Sequence, residues 1–267
     1  MAPNFRPGKG AVALFNNANM SPILQDVTIE ASAAALDATA HGNNDEVFIA
    51  GMRGGMASFD GLFDGTAIST ASTATTGALD SKFASALAST TQPIITVGPE
   101  GDTLGYRCRM FKAETVQYVA QSPAMDIVRA NAAVQISDRQ DYGVWLHALA
   151  SRSSTSSTYG NVDSVDAGTT GGGVGHLHVT SASVASMVVK IQHSSAASTG
   201  STDAWADIIT FSSVTESSAA ATAVQRSTVS GTVKRRTRAI VSTFSTASGN
   251  STTATFAVAF ARRNAIR

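Results

Sequence analysis

One pair of histidines has a spacing that some metal sites use. His176 and His178 occupy alternate positions in an apolar segment, so a β-strand would place both imidazoles on one face. Imidazole nitrogen is a common ligand of zinc and other transition metals. No third histidine and no acidic side chain stands at a comparable spacing. We therefore expect both histidines to be ordinary strand residues, with a metal site as the alternative hypothesis.

Motifs of catalysis and of cofactor binding are missing from the sequence. It contains no phosphate-binding loop that ends in Lys and Ser or Thr, no glycine motif of a dinucleotide fold and no Gly-x-Ser-x-Gly elbow. No spacing of acidic and basic side chains pairs a general acid with a general base. The sequence predicts neither an enzyme nor a bound cofactor.

The single cysteine, Cys108, excludes an intrachain disulfide and every motif that needs paired cysteines. On a strand, Cys108 would share a face with Tyr106 and Met110. An apolar face of this kind favours a buried structural thiol over a reactive one.

Alternating basic residues in the C-terminal half predict a charged strand face. Lys234, Arg236 and Arg238 fall on one side of the segment 232–241, while Ala239 and Val241 fall on the other. Such a face suits solvent or a contact between subunits. Nucleic-acid phosphates are the alternative, but no aromatic residues interleave the cluster to stack on bases.

Trp205 lies between Asp203 and Asp207, which gives it two possible roles. We expect its ring to pack into a hydrophobic core. The alternative is a glycan site, in which the ring is the stacking platform and the carboxylates bind hydroxyl groups.

Composition limits how the protein can interact with other molecules. Charged residues make up 14% of the 267 residues, and 19 basic side chains balance 19 acidic ones. A net charge of zero gives no long-range attraction to nucleic acid or to an anionic membrane. Hydrophobic content is 43%, but aromatic residues are only 6%, which predicts a thin core that gains stability from contacts between subunits. No apolar run has the length of a signal peptide or a membrane span, so we expect a soluble intracellular protein.

β-strands have to position most of these side chains. In the segment 256–262, Phe256, Val258 and Phe260 alternate with small alanines, as a strand buried against two layers requires. Residues 11–15, 46–50, 56–63, 103–112, 114–119, 125–137 and 144–149 also have strand patterns. In residues 27–39 the alanines favour a helix, but the alternation of Val27, Ile29 and Ala31 with polar residues favours a strand, which we expect. We expect the glycine-rich residues 51–55 to break the strand between 46 and 63. One helix is predicted over residues 78–89, where Leu79, Phe83 and Leu87 recur every four residues.

Length and low-complexity segments predict two domains. Residues 1–10 are punctuated by proline and glycine and suggest an N-terminal arm. Residues 11–150 would form the first domain, and the Ser-, Thr- and Gly-rich residues 151–175 would form a linker. Residues 176–267 would form a second, β-sandwich-like domain, either as an external decoration or as an extension of the wall of an assembly. The predicted fold class is mainly β, with one flanking helix.

Several segments, in this order, resemble the major tail (tail tube) proteins of long-tailed, non-contractile bacteriophages. The segments that carry the resemblance are residues 27–39, EVFIAG (46–51), SFDGLFD (58–64), QSPAMDIVR (121–129), VVKIQHS (188–194), WADIITF (205–211) and TFAVAFAR (255–262). Each segment alone is weakly specific, but their shared order covers nearly the whole chain.

The resemblance implies a β-sandwich or barrel subunit in a virion tail, assembled in the host bacterial cytoplasm. Such subunits close into rings, usually of six, which stack into a hollow tube for genome delivery. The implied partners are other copies of the chain, a tape-measure protein, and tail-terminator and baseplate proteins. DNA would pass through without specific binding, and no membrane partner is implied.

By the same resemblance, the arm at residues 2–10 and the loop at residues 42–61 contact neighbouring rings. The candidate contact residues in these segments are Phe5, Arg6, Lys9, Asn43, Asn44, Arg53 and Phe59. A second hypothesis assigns the C-terminal half to carbohydrate binding during host adhesion, with Trp205 stacking on a sugar.

Overall fold

The computed structural model describes residues 8–39, 45–46, 48–64, 79–87, 89–155, 159–163, 168–195, 204–216, 221–245 and 252–263, without the side chains of residues 9 and 49–53. These residues form fifteen strands, one α-helix and a short 3-10 turn at Gly8–Gly10. The described part of the chain is mainly β with one helix, as the sequence predicts. The strands are β1 (Val12–Phe15), β2 (Ala18–Asn19), β3 (Leu24–Asp37), β4 (Phe48–Leu62), β5 (Ile94–Gly98), β6 (Arg107–Gln121), β7 (Arg129–Ile136), β8 (Asp141–Arg152), β9 (Val162–Asp163), β10 (Gly173–Ser183), β11 (Ser186–Ser194), β12 (Ala206–Thr210), β13 (Ala221–Val229), β14 (Arg236–Ser245) and β15 (Thr253–Arg262).

Most strands belong to one antiparallel sheet that curls on itself. Its main path runs β13-β10-β15-β8-β6-β5-β1-β2. The two ends of this path approach each other, since Asn17 in the turn between β1 and β2 donates a hydrogen bond to Thr222 in β13 at 2.6 Å. The curled part therefore approaches a closed barrel, which leaves few unpaired backbone groups at its ends.

A second sheet covers one face of the curled sheet. Its order is β12-β11-β14-β9. Apolar residues from β10 and β15 meet those of β11 and β14 in a core that includes Leu177, Phe256, Ile191 and Val241. Two sheets enclosing one core form a β-sandwich in the C-terminal half.

Strands β3, β4 and β7 form a four-stranded sheet with residues 113–121 of β6, the distal part of that strand. This sheet is called the arm sheet. Residues 113–121 of β6 pair with β7, β7 pairs with β4, and β4 pairs with β3. Helix α1 (Leu79–Leu87) packs on one face of the arm sheet, where Phe83 is fully buried against Phe15 and Phe59. The helix lies within the predicted residues 78–89.

Strand β15 is buried on both faces, and its sequence explains how this is possible. Phe256, Val258 and Phe260 point into the C-terminal core. Ala257 and Ala259 point to the other side, against Trp145 of β8 and further residues of β1, β6 and β10. Small side chains allow this close approach of layers, so the alternation predicted for residues 256–262 is confirmed.

The predicted break at residues 51–55 is wrong, because β4 runs without interruption from Phe48 to Leu62. Gly55 is needed for a different reason. A Cβ atom at this position would lie 2.5 Å from the Glu30 backbone oxygen and 3.0 Å from the Ile136 side chain. The glycine therefore permits close packing within the sheet rather than a turn.

Strands from both predicted domains share one sheet. β15 pairs with β8, with Phe260 opposite Val144 and Thr255 opposite Ser151. β8 itself continues to Arg152, and β9 lies within residues 151–175. The division of the chain at residues 151–175 stays a prediction.

Candidate assembly surface

Strand β3 forms an open edge of the arm sheet. It is 14 residues long and pairs only with β4 among the described residues. Its side chains from Ser32 to Asp37 are all exposed. Residues 31–36 are uncharged and contain no proline, so the edge has few of the features that normally prevent pairing with another strand.

The distal part of β6 forms the opposite edge of the same sheet. Residues 107–112 of β6 pair with β8 and β5, which flank β6 on opposite sides, but residues 114–121 pair only with β7 among the described residues. Val116 on this edge is 51% exposed. The arm sheet therefore has two open edges that run along opposite sides.

One face of the arm sheet is open to solvent, and most of its charged residues are acidic. Because residues directly opposite in an antiparallel pair share a face, the register places Asp26 beside Asp60 and Asp60 beside Asn131, whose amide donates to the Asp60 carboxylate. Glu30 and Glu114 join the same face through their register partners, and Arg129 is the basic residue there. Four carboxylates against one guanidinium give this face a negative potential.

The hairpin of β3 and β4 projects beyond the rest of the arm sheet. Met56 is the last β4 residue that pairs with β7, whereas β3 and β4 pair as far as Asp37 and Phe48. Seven more residues of β3 correspond to a ribbon of about 23 Å. Leu36 is 50% exposed and Phe48 is 58% exposed. An isolated two-stranded ribbon is only marginally stable in water, so this hairpin gains from a partner.

The predicted ring-contact residues have different positions in the structure. Phe5, Arg6, Asn43 and Asn44 lie outside the described residues, and only the backbone of Lys9 and Arg53 is described. Phe59 does not fit a surface contact, because it is 1% exposed and its ring lies 6.4 Å from Phe15 and 5.7 Å from Phe83 between centroids. Its position on the inner face of the arm sheet makes it part of the core.

The predicted basic face is divided by specific partners. Arg236 is 8% exposed, and its guanidinium lies 3.3 Å from the Asp163 carboxylate. Arg238 donates from Nε to Gln192 at 2.9 Å and lies 4.1 Å above the Trp205 ring. Lys234 is half-buried before the strand begins. Ala239 and Val241 point inward as predicted, but the basic residues do not form one continuous exposed stripe.

Trp205 lies at the surface of the second sheet rather than in its core. The ring is half-buried, and Arg238 covers one of its faces. The nearby Asp207 carboxylate accepts hydrogen bonds from Lys190 at 2.7 Å and Gln192 at 2.6 Å, and these bonds lower its pKa. A sugar would have to displace these partners to use the carboxylate.

His176 and His178 are both fully buried inside the curled sheet. The hydroxyl of Thr96 on β5 lies 2.9 Å from Nδ1 of His176 and 2.8 Å from Nε2 of His178. Nδ1 of His178 lies 2.5 Å from the backbone oxygen of Asn16. Burial lowers the pKa of His178 to about 4 and that of His176 well below its usual range. Both rings are held by Thr96, and no cluster of three or more His, Cys, Asp or Glu that could hold a metal occurs in the described part of the chain.

Cys108 fits the predicted structural role. It is 2% exposed beside Met110 and Trp145, and burial raises the pKa of its thiol far above the usual value. A thiol in this environment stays protonated and unreactive.

A cleft between β1, β5 and β3 has charged side chains from Asp26 and Arg109 in its lining. The Arg109 guanidinium stacks on Tyr142 at 3.8 Å, so it has a packing role. One carboxylate with one guanidinium does not form a general acid and base pair. No helix among the described residues is long and apolar enough to cross a membrane.

No protein-family model and no curated protein match this chain. Among solved structures, it is similar to a chain of the "Virion of native gene transfer agent (GTA) particle", with a TM-score of 0.40 and 11% identity over 52% of this chain and 98% of that one. The chain is similar to virion and phage proteins. A chain of the SPP1 tail tube gives a TM-score of 0.39 and 10% identity over 50% of this chain and 76% of that one. The SPP1 Dit protein, described as a hub adsorption apparatus protein, gives 0.34 and 10% over 95% and 99%.

Of these structures, the SPP1 tail tube chain is of the kind that the sequence resembles, and the other two come from a virion and from a phage hub. Identities of 10% to 11% and TM-scores below 0.5 are too low to assign a function.

Proposed function

We propose that this chain is a structural subunit of a phage tail tube. The observation that carries the proposal is the arm sheet, whose β3 edge and distal β6 edge are both open. Pairing the β3 edge of one copy with the β6 edge of the next uses two different surfaces, so it is a heterologous contact. A heterologous contact closes into a ring when the rotation between neighbours is suitable.

Ring closure also explains why an open β3 edge is compatible with a soluble subunit. Unpaired backbone N–H and C=O groups would otherwise pair with any available strand. In a ring, each edge is paired and the arm sheets merge into one continuous barrel. The ring number of six comes from the sequence resemblance.

The acidic face of the arm sheet is the proposed wall of the channel. Helix α1 covers the opposite face, so only the face with Asp26, Glu30 and Asp60 can line an open lumen. Carboxylates repel nucleic-acid phosphates, which favours passage of DNA over binding.

The projecting hairpin and residues 2–10 are the proposed contacts between stacked rings. Leu36 and Phe48 give the hairpin an apolar surface that a neighbouring ring would cover. Tape-measure, terminator and baseplate proteins are the further partners that the resemblance implies, in a virion tail assembled in the bacterial cytoplasm. No enzymatic step is part of this role.

Electron microscopy of edge variants tests the proposal. Concentrated wild-type protein should form rings or hollow filaments of uniform diameter. Replacing Ala31 and Ala33, which are both exposed on β3, by lysine should keep the subunit folded but prevent ring formation, because charges at an edge oppose strand pairing.

A matched control places two lysines at exposed positions away from the arm sheet. Ser153→Lys with Ser154→Lys should assemble like the wild type. Wild-type protein that stays monomeric at every concentration and salt level, or normal rings from the Ala31 and Ala33 variant, would contradict the proposal.

A further inference from the structure

A buried chain of hydrogen bonds fastens the two ends of the curled sheet, and its donors and acceptors can be assigned. The Asn16 backbone oxygen only accepts, so Nδ1 of His178 carries the proton between them. Nε2 of a neutral His178 then accepts from the Thr96 hydroxyl. Because the one hydroxyl proton of Thr96 is used, Nδ1 of His176 has to donate to the Thr96 oxygen. Nε2 of His176 is left as a bare acceptor.

That acceptor has no hydrogen-bond partner among the described residues, although His176 is fully buried. An unpaired polar atom in the interior costs stability, and buried water commonly provides the missing bond. The atom therefore indicates a bound group beside Nε2.

Arg226 on β13 supplies unpaired donors in the same region. It lies directly opposite His176 in the strand register, so both side chains share a face. Its side chain is 9% exposed, and Nη1 lies 2.6 Å from the Asp138 carboxylate. Nε and Nη2 have no hydrogen-bond partner among the described residues, although Nη2 is 3.6 Å from Asp141.

The bound group must accept from a guanidinium and donate to an imidazole. An inorganic anion such as chloride accepts but does not donate, and a metal ion at Nε2 would face the positive charges of Arg226, Lys112 and Arg263, all of which act on His176. Asp141 pairs with Arg263 at 2.6 and 2.9 Å and so offsets part of that charge, but no group of three or more metal-ligating side chains occurs among the described residues. A neutral molecule with both a donor and an acceptor remains.

We propose that one buried water molecule binds between His176 Nε2 and the Arg226 guanidinium. It completes a chain from the Asn16 carbonyl through His178, Thr96 and His176 to Arg226 and Asp138. The chain crosses from β1 and β5 at one end of the curled sheet to β10 and β13 at the other. The water site therefore helps to hold the curl closed, whether or not the subunit forms a tube.

Nitrogen-15 NMR of the imidazoles tests the assignment on the full chain. At neutral pH, both His176 and His178 should be neutral with the proton on Nδ1. The His176 ring should show a cross-relaxation signal to a slowly exchanging water. A proton on Nε2 of His176, a charged ring at neutral pH, or no water signal at that ring would overturn the proposal.

Two matched variants extend the test. Thr96→Val removes the bridging hydroxyl, so His176 should lose its single tautomer and the melting temperature should fall. Thr115→Val removes a buried hydroxyl that has no partner among the described residues, so both tautomers and the melting temperature should stay close to wild type. Equal effects of the two variants on the tautomers would overturn the proposed chain of hydrogen bonds. If Thr96→Val does not fold, the spectrum of the wild-type protein decides the result.

Discussion

The role of each charged or aromatic side chain depends on the residues that the fold places beside it. Arg236 and Arg238 belong to one strand, yet one forms an ion pair with Asp163 and the other stacks on Trp205. Asp207 is held by Lys190 and Gln192. Each of these partners comes from another segment of the chain, which is why a basic face predicted from one segment becomes two separate contacts.

Acid should destabilise the protein through its buried histidines. Burial lowers the pKa of His147 and of His178 to about 4 and that of His176 well below its usual range, whereas an unfolded histidine titrates near 6.5. The unfolded chain therefore binds more protons between these values, so stability is lost as the pH falls from 6.5 towards 4. Urea unfolding should show a loss of more than about 2 kcal/mol between pH of about 7 and about 4.5.

The paired carboxylates act in a different pH range. Asp138 and Asp207 have lowered pKa values, so their contribution is lost only when the pH falls below the ordinary value of 3.8. A free energy of unfolding that stays constant between pH of about 7 and about 4.5 would contradict the histidine assignment.

Each element is specified by local pattern but completed by packing. In β15 the large side chains face the core between the two sheets, and the alanines face the closely packed interior of the curled sheet. Gly173 shows how tight the fit is, because a Cβ atom there would lie 2.4 Å from the Phe260 ring. The aromatic side chain of one strand thus requires a glycine on its neighbour.

Replacing Phe260 by Ala should lower the free energy of unfolding by about 3–5 kcal/mol. The side chain is 1% exposed in the C-terminal core, so its removal leaves a cavity. Chemical denaturation of the purified subunit measures the effect. Leu87→Ala, at a position that is 48% exposed, is the control and should cost less than about 1 kcal/mol. Similar losses from both variants would refute the buried face of β15.

The whole molecule combines a closed part with an open one. The curled sheet and the sandwich bury most of the apolar residues, whereas the arm sheet ends in open edges and a projecting hairpin. A molecule built in this way has a buried core in one part and backbone groups without a strand partner, among the described residues, in the other. This division supports an assembly role more directly than any single residue does.

Deleting residues 2–10 should leave the subunit soluble with an unchanged melting temperature. The first strand begins at Val12, so the deletion spares every strand of the core. Tube growth should be impaired if residues 2–10 contact the neighbouring ring. Electron microscopy and thermal melting of the truncated protein measure the two effects, and tubes of normal yield and length would contradict a role of the arm in stacking.

The sequence by itself determined that the fold class is mainly β and which face of many strands is apolar. Period-two alternation predicted most strands, a four-residue repeat predicted the helix, and a lone cysteine beside apolar residues predicted a buried thiol. These inferences succeeded because each depends on neighbours in the chain.

Only the tertiary structure decided the partners. It placed Phe59 in the core, merged β4 across its glycines, joined β15 to β8 and brought Thr96 between His176 and His178. Thr96 and His176 are 80 positions apart in the chain, and no local pattern encodes a contact over such a separation. The open edges of the arm sheet belong to the same category, because whether a strand is paired depends on where all the other strands lie.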